Sequence, residues 1–141
     1  AFVDFPDPNT YALGKLYTSR FYRLLQRRLT DDAMVTVQST SPLMARQSFW
    51  CIAATMEASG LKVRPFHLAV PSFGVWGFAL ASKRDFAPPT RVLPGLRHLS
   101  DEATAAMFAF PKDMDRVPVE VNRLDNQVLV HLYTREWRRW S

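Results

Sequence analysis

The sequence is poor in residues that form disulfide and metal sites, since it has one cysteine (Cys51) and three histidines. A single cysteine excludes an internal disulfide framework and is compatible with a reducing compartment. So few scattered ligand residues do not form a zinc-binding pattern. No apolar run approaches the about 18 residues that span a bilayer, and the first residues lack the basic and apolar regions of a signal peptide. The 141 residues are therefore expected to form one globular domain.

The excess of positive charge is moderate, with a formal net charge of +5. Such a charge permits contact with nucleic acid or anionic lipid but requires neither. No nucleic-acid-binding motif accompanies it, so we expect no nucleic-acid partner, and a basic nucleic-acid-binding domain is kept only as a third hypothesis. One side of a predicted helix is basic and faces either solvent or anionic lipid at a cytoplasmic membrane surface: Arg20, Arg23, Arg27 and Arg28.

The hydrophobic pattern predicts an α/β domain. Pro6 and Pro8 exclude regular structure nearby, so residues 4–15 are predicted to form a loop. Pro65 is expected to interrupt its strand, and residues 128–132 fit a strand as well as the helix we assign them to. The predicted elements are a strand end at 1–3, helices at 19–29 and 42–59, strands at 34–38, 61–70 and 76–82, and helices at 101–109 and 128–140.

Two units are predicted along the chain. The strands at 61–70 and 76–82 are joined by a tight turn, which indicates an antiparallel hairpin. Proline and glycine pairs between residues 85 and 97 then mark a break. We therefore expect a first unit at 1–84 and a C-terminal extension at 85–141 that packs on it.

Two acids, Asp4 and Asp7, come directly after the first strand end. Acids at the carboxyl end of a strand in an α/β sheet face the ligand crevice, where they hold a cationic group and accept a proton from it. Gln38 would project into the same crevice if the two strands are adjacent. The turn at 71–74 would add an aromatic side chain, Phe73. The sequence thus predicts that three strand ends converge on one site.

Several short motifs follow one another: Asp4-x-x-Asp7-Pro8, Leu16-Tyr17-Thr18-x-x-Phe21-Tyr22, Gln38-Ser39, Gly74-x-x-Gly77-Phe78 and Ser82-Lys83. In this order they resemble the C-terminal half of the polyamine aminopropyltransferases, the spermidine synthase family. Residues 71–78 and 120–124 resemble the bacterial branch in which a multi-pass membrane domain precedes the synthase domain. The resemblance covers most of residues 1–84 and, more loosely, the tail. It implies the C-terminal half of a Rossmann-like, methyltransferase-type sheet ending in an antiparallel hairpin.

The resemblance also implies a reaction. These enzymes move an aminopropyl group from decarboxylated S-adenosylmethionine to an amine, usually putrescine, and need no metal or redox cofactor. By position, Asp4 would be the general base. Asp7 would orient the cationic amine, and Gln38 would form a hydrogen bond with it. Phe73 lies near the place where soluble relatives have a substrate-lining tyrosine.

The sequence departs from the family pattern in two places. Residues 9–15 differ from the short Gly-Pro-Ala segment of soluble relatives, and no Gly-rich loop follows a strand. We therefore expect a C-terminal fragment of a longer protein, inactive alone because the nucleotide half is missing. An exposed sheet edge predicts a homodimer. The resemblance predicts a cytoplasmic location, on the cytoplasmic face of the bacterial inner membrane if a membrane domain is present.

Less specific interpretations stand beside these. Asp4 and Asp7 are also common turn residues, Gln38 is an ordinary strand-end residue, and Phe73 also suits simple packing. The tail at 135–140 would serve as an interfacial anchor of Trp and Arg or would pack on the fold. At the level of function, the alternative is a non-catalytic polyamine-binding or interaction module.

Overall fold

The computed structural model describes residues 1–140, which form a four-stranded sheet with helices against it. The strands are β1 (Phe2–Val3), β2 (Met34–Gln38), β3 (Lys62–Val70) and β4 (Gly74–Ser82). The helices are α1 (Tyr11–Gly14), α2 (Ser19–Arg28), α3 (Arg46–Ala58), α4 (Asp101–Met107) and α5 (Val128–Trp137), with one 3-10 turn at Lys15–Tyr17.

The sheet has the strand order β1-β2-β4-β3. β1 and β2 are parallel, whereas β4 is antiparallel to both β2 and β3. The first two strands are therefore adjacent, which is the condition on which the predicted position of Gln38 depends, and the predicted hairpin is confirmed. Because β1 and β2 are parallel, the residues that follow both strands lie at the same edge of the sheet.

The two faces of the sheet differ in composition because side chains alternate along a strand. Val35 and Val37 of β2 and Ala79 and Ala81 of β4 are fully buried in one core cluster with α3. Residues at the intervening positions point to the opposite face, which is open enough to form a cavity. The intervening residues that line it are Thr36, Gln38, Trp76 and Phe78.

The chain after α4 packs along α3. Trp50 Nε1 donates to the Met114 carbonyl at 2.9 Å, and the backbone N of Asn122 donates to Thr55 Oγ1 at 2.9 Å. The Asn122 side chain is fully buried and donates to the carbonyls of Gly14 and Tyr17, both at 3.1 Å. These contacts join the C-terminal residues to the start of the chain, while a unit boundary at residue 84 stays a prediction.

The predicted loop at 4–15 is wrong in its second half. Residues Tyr11–Gly14 form α1, because Thr10 Oγ1 accepts a hydrogen bond from Leu13 N at 3.2 Å and no proline follows Pro8 there. A Cβ on Gly14 would lie 2.5 Å from Val130 Cγ2, so a glycine allows α1 to pack closely against α5.

The predicted start of α3 and the predicted interruption at Pro65 are also wrong, while β4 begins earlier and α4 and α5 end earlier than predicted. α3 begins at Arg46 rather than at residue 42, because Ser41 caps a preceding turn by accepting from Met44 N at 3.2 Å. Pro65 does not interrupt β3, which runs without a break and pairs only with β4 in the described residues. Proline is tolerated on such an edge strand because the strand needs hydrogen bonds on one side only.

The C-terminal segment is a helix, as predicted, and it packs on the fold. The Trp137 ring lies 6.4 Å from the Trp76 ring, centre to centre, and Trp140 Nε1 donates to the Met44 carbonyl at 3.1 Å. Within residues 1–140, no helix combines the length and apolar character that a bilayer crossing requires.

Candidate functional site

A cavity of about 690 Å³ lies at the carboxyl ends of β1 and β2, on the sheet face opposite the buried core. Its lining combines two acids and an amide with apolar and aromatic side chains. The lining residues are Phe2, Val3, Asp4, Asp7, Thr36, Gln38, Val70, Phe73, Trp76 and Phe78.

Asp4 follows β1 directly and lies beside Gln38, the last residue of β2. With the amide oriented to satisfy both ends, Gln38 Nε2 donates to an Asp4 carboxylate oxygen, and Gln38 Oε1 accepts from Trp76 Nε1 at 3.2 Å. The indole N–H thus determines which end of the amide faces the acid. Asp4 therefore has a fixed donor on one side and the cavity on the other.

Asp7 lies deeper than Asp4 and is held from two other elements. Its Oδ2 accepts from Tyr133 Oη at 2.8 Å and from Thr40 Oγ1 at 3.5 Å, whereas its Oδ1 is buried without a hydrogen-bond partner in the described residues. Burial raises the pKa of Asp7 above its usual value, and the hydrogen bonds from Tyr133 and Thr40 offset part of the rise. A cation beside this carboxylate would stabilise its ionised form.

The loop between the two acids is fixed by Tyr17. The Tyr17 hydroxyl donates to the carbonyls of Phe5 at 3.2 Å and Pro6 at 3.1 Å. Burial raises the pKa of Tyr17, so this hydroxyl stays a donor throughout the physiological range. The spacing of Asp4 and Asp7 around the cavity is thus set by a buried side chain.

Backbone strain lies beside Asp7. Thr40 has φ of +59°, a left-handed conformation that is rare for a β-branched residue. It is held by Gly77, whose N donates to the Thr40 carbonyl at 2.7 Å and whose carbonyl accepts from Ser39 N at 2.9 Å. Strain of this kind concentrates at functional sites, and here it places the Thr40 hydroxyl beside the carboxylate.

The rest of the cavity is an aromatic wall, formed by Phe73, Trp76 and Phe78. Phe73 is 65% exposed and its ring lies 5.6 Å from that of Trp76. Aromatic faces attract organic cations, and two carboxylates attract positive charge. The cavity therefore suits an organic cation with apolar parts. Residues 1–140 contain no group of three or more His, Cys, Asp or Glu side chains that would bind a metal ion.

The four site residues predicted from sequence, Asp4, Asp7, Gln38 and Phe73, all line this one cavity. Their chemical roles stay predictions. Sequence reasoning missed Tyr133 and did not use Thr40. The polar residues that follow β2 could have indicated that Thr40 lies at the site. Nothing in the sequence connected Tyr133 on α5 with an acid 126 residues earlier.

Comparison with known proteins supports the family resemblance of the sequence. Residues 1–89 match the family described as "Spermine/spermidine synthase domain". The chain is 48% identical to a polyamine aminopropyltransferase of Leptospira interrogans, over 97% of this chain and 28% of that protein. It is also 48% identical to polyamine aminopropyltransferase 2 of Ralstonia nicotianae, over 97% of this chain and 27% of that protein. The chain thus spans little more than a quarter of the length of these relatives.

Solved structures agree on the fold. Spermidine synthase from Thermotoga maritima superposes with a TM-score of 0.58 at 22% identity, over 70% of this chain and 38% of that one. A spermidine synthase in complex with the transition state analogue AdoDATO gives the same TM-score and identity, over 70% of this chain and 39% of that one. The predicted Rossmann-like, methyltransferase-type fold is therefore confirmed.

Proposed function

Because the chain belongs to the spermine/spermidine synthase family, we propose that it forms the amine-binding and proton-accepting part of a polyamine aminopropyltransferase. The observation that supports this most directly is the cavity that has Asp4 and Asp7 on its lining beside an aromatic wall. Putrescine, a short apolar chain with an ammonium at each end, suits that lining in charge and in polarity.

The proposed reaction is an SN2 displacement. The amine nitrogen of putrescine attacks the methylene carbon next to the sulfonium of decarboxylated S-adenosylmethionine. The new N–C bond forms as the C–S bond breaks. The electron pair of the C–S bond stays on sulfur, which becomes the neutral thioether of methylthioadenosine. The nitrogen must lose a proton because an alkylammonium, with a pKa of about 10, has no free electron pair. A sulfonium is a good leaving group, so we propose that no metal or redox cofactor takes part.

Asp4 is the proposed general base, since it lies at the cavity with one fixed hydrogen-bond donor, Gln38. Asp7 is proposed to bind the cationic amine, because its carboxylate is partly buried and has one oxygen without a partner. Gln38 and Phe73 are proposed to contact the substrate, through the amide and the aromatic ring respectively. Holding the nucleophile in line is the main contribution of such contacts.

The donor is proposed to be bound mainly by polypeptide outside these residues, given that the chain spans 28% of the length of the Leptospira relative. We accordingly propose that residues 1–141 alone do not catalyse transfer. The boundary between a catalytic unit at 1–84 and an extension at 85–141 is part of the same proposal.

Location and assembly are also proposals. A cytoplasmic site of action, at the inner face of the membrane if a membrane domain is present, is supported by the resemblance of residues 71–78 and 120–124. A homodimer is proposed from the sequence prediction alone. No nucleic-acid partner is proposed.

The alternative function is a polyamine-binding module without catalysis. It is favoured by the cavity itself, because two acids beside an aromatic wall would bind an amine whether or not transfer follows. Titration calorimetry of the full-length protein with putrescine, with and without methylthioadenosine, tests it. Amine binding without any turnover would favour the module.

The decisive experiment is a turnover assay of the full-length protein with decarboxylated S-adenosylmethionine and putrescine. We expect methylthioadenosine and spermidine in equal amounts. Asp4→Asn should lower kcat by about 10²- to 10⁴-fold while putrescine still binds. Asp113→Asn, a change at an exposed acid outside the cavity lining, serves as the control. Near-normal turnover of Asp4→Asn would rule out the assigned base.

A further inference from the structure

One hydrogen bond links the far end of the chain to the cavity. Tyr133 Oη on α5 donates to Asp7 Oδ2 at 2.8 Å, across 126 residues of sequence. Tyr133 lies outside residues 1–89, the part that matches the family description. A residue of the C-terminal extension therefore touches a carboxylate of the candidate site.

The contact is asymmetric at the carboxylate. Oδ2 accepts the hydrogen bonds from Tyr133 and Thr40, whereas Oδ1 has none in the described residues. When only one oxygen of a carboxylate accepts hydrogen bonds, those bonds hold the side chain in one rotamer. It also gains more from a nearby cation than a fully solvated carboxylate does. The geometry of Asp7 toward a ligand thus depends on the Tyr133 hydroxyl.

Tyr133 is itself held firmly. Its ring lies 5.8 Å from that of Trp137, which in turn packs against Trp76 of the aromatic wall. Between them on α5, Glu136 accepts hydrogen bonds from Gln47 N and Ser48 N at the start of α3. The helix therefore cannot shift without disturbing the core, and the tyrosine hydroxyl stays at a fixed point.

From these contacts we propose that Tyr133 is a positioning residue that holds Asp7 in the orientation that binds the substrate ammonium. The proposal rests on the proposed function. It assigns to the extension at 85–141 a direct part in amine recognition. The competing explanation is that the Tyr133–Asp7 bond only fastens α5 to the loop and affects stability alone.

The variant Tyr133→Phe separates the two explanations because it removes one hydroxyl and keeps the ring. In the full-length protein, we expect KM for putrescine to rise about tenfold, the effect of losing one hydrogen bond to a charged group. KM for the donor and kcat should change by less than threefold. An unchanged putrescine KM, or equal changes in both KM values, would overturn the proposal. Tyr11→Phe, an exposed ring on α1, is the matched control.

A double-mutant cycle and a pH titration complete the test. In an Asp7→Asn background, Tyr133→Phe should add less than a twofold change, since the positioned charge is already gone. Additive losses would show that Tyr133 acts without Asp7. The midpoint of the acid limb of putrescine binding should move to higher pH in Tyr133→Phe, because a bond that favours the carboxylate is lost; an unmoved midpoint contradicts the proposal.

These outcomes are distinguishable from failure of the proposed function. If the unchanged full-length protein makes no methylthioadenosine, the transfer reaction is wrong. Calorimetry with putrescine then still tests whether Tyr133 positions Asp7 for amine binding. An affinity about tenfold weaker in Tyr133→Phe than in Tyr11→Phe supports the positioning role, and equal affinities, or no binding to any form, refute it.

Discussion

The Glu136 carboxylate on α5 accepts hydrogen bonds from both the backbone N and the Oγ of Ser48 in α3, at 2.9 and 2.6 Å. It also accepts from Gln47 N at 2.7 Å. The residue at the N-cap position of α3, Ala45, offers no side-chain cap. A carboxylate 88 residues away therefore satisfies two of the free N–H groups of the helix, and negative charge there also suits the helix dipole.

We predict that Glu136→Ala lowers the free energy of unfolding by about 1–3 kcal/mol, because it leaves buried N–H donors unsatisfied. Glu136→Gln should cost less, since its amide oxygen still accepts. Urea unfolding followed by circular dichroism measures both. Glu120→Ala, at an exposed position, is the control. A Glu136→Ala protein as stable as the control would contradict the capping role.

Gly77 is predicted to tolerate no side chain. A Cβ there would lie 2.4 Å from Phe49 Cε2 and 2.8 Å from the Thr40 carbonyl. Gly77→Ala should lower stability by about 1–3 kcal/mol and displace the residues that follow β2. Gly74→Asn is the control, because its position has free space and a φ that Asn accepts. Thermal melts of the two variants test this prediction. Equal melting temperatures would contradict it, because they would show that the packing around Gly77 adjusts without loss of stability.

Asp7 is expected to lower the free energy of unfolding at neutral pH. Its pKa in the folded protein is raised, mainly by burial, above the usual 3.8. The folded state therefore binds more protons than the unfolded one between these two pKa values, and stability falls as pH rises through them. Asp7→Asn should melt higher than the unchanged protein at pH 7, and the difference should vanish below pH 3.8. Asp113→Asn, at an exposed turn, is the control.

Much of the fold follows from local pattern. Several short-range signals agree with the structure. They are the alternation in β2 and β4, the N-terminal caps of α2 (Thr18) and α4 (Ser100), and the glycine after α3 (Gly60). Two errors have local causes that the prediction overlooked, the Thr10 cap of α1 and the Ser41 cap of the turn before α3. The third has a tertiary cause, since Pro65 is accommodated because β3 lies at an edge of the sheet.

The candidate site divides in the same way. Asp4, Asp7 and Gln38 follow or end strands, and parallel strand ends meet at one edge, so their convergence was predictable. The Tyr133–Asp7 contact depends on where α5 docks. That docking is set by Asn122 and Glu136, which form hydrogen bonds with distant backbone groups, and no local pattern encodes those partners.

Trp76 is predicted to affect both the rate and amine binding. Its Nε1 donates to Gln38 Oε1 at 3.2 Å and so fixes the amide end that donates to Asp4. Trp76→Phe keeps an aromatic ring in the cavity wall but frees the Gln38 amide, which contacts Asp4 and is proposed to contact the amine. We therefore expect kcat to fall about two- to tenfold and putrescine KM to rise. Steady-state kinetics of the full-length protein measure both. Trp140→Phe also deletes an indole donor, but at an exposed position, and an equal loss there would show that the effect is not specific to Asp4.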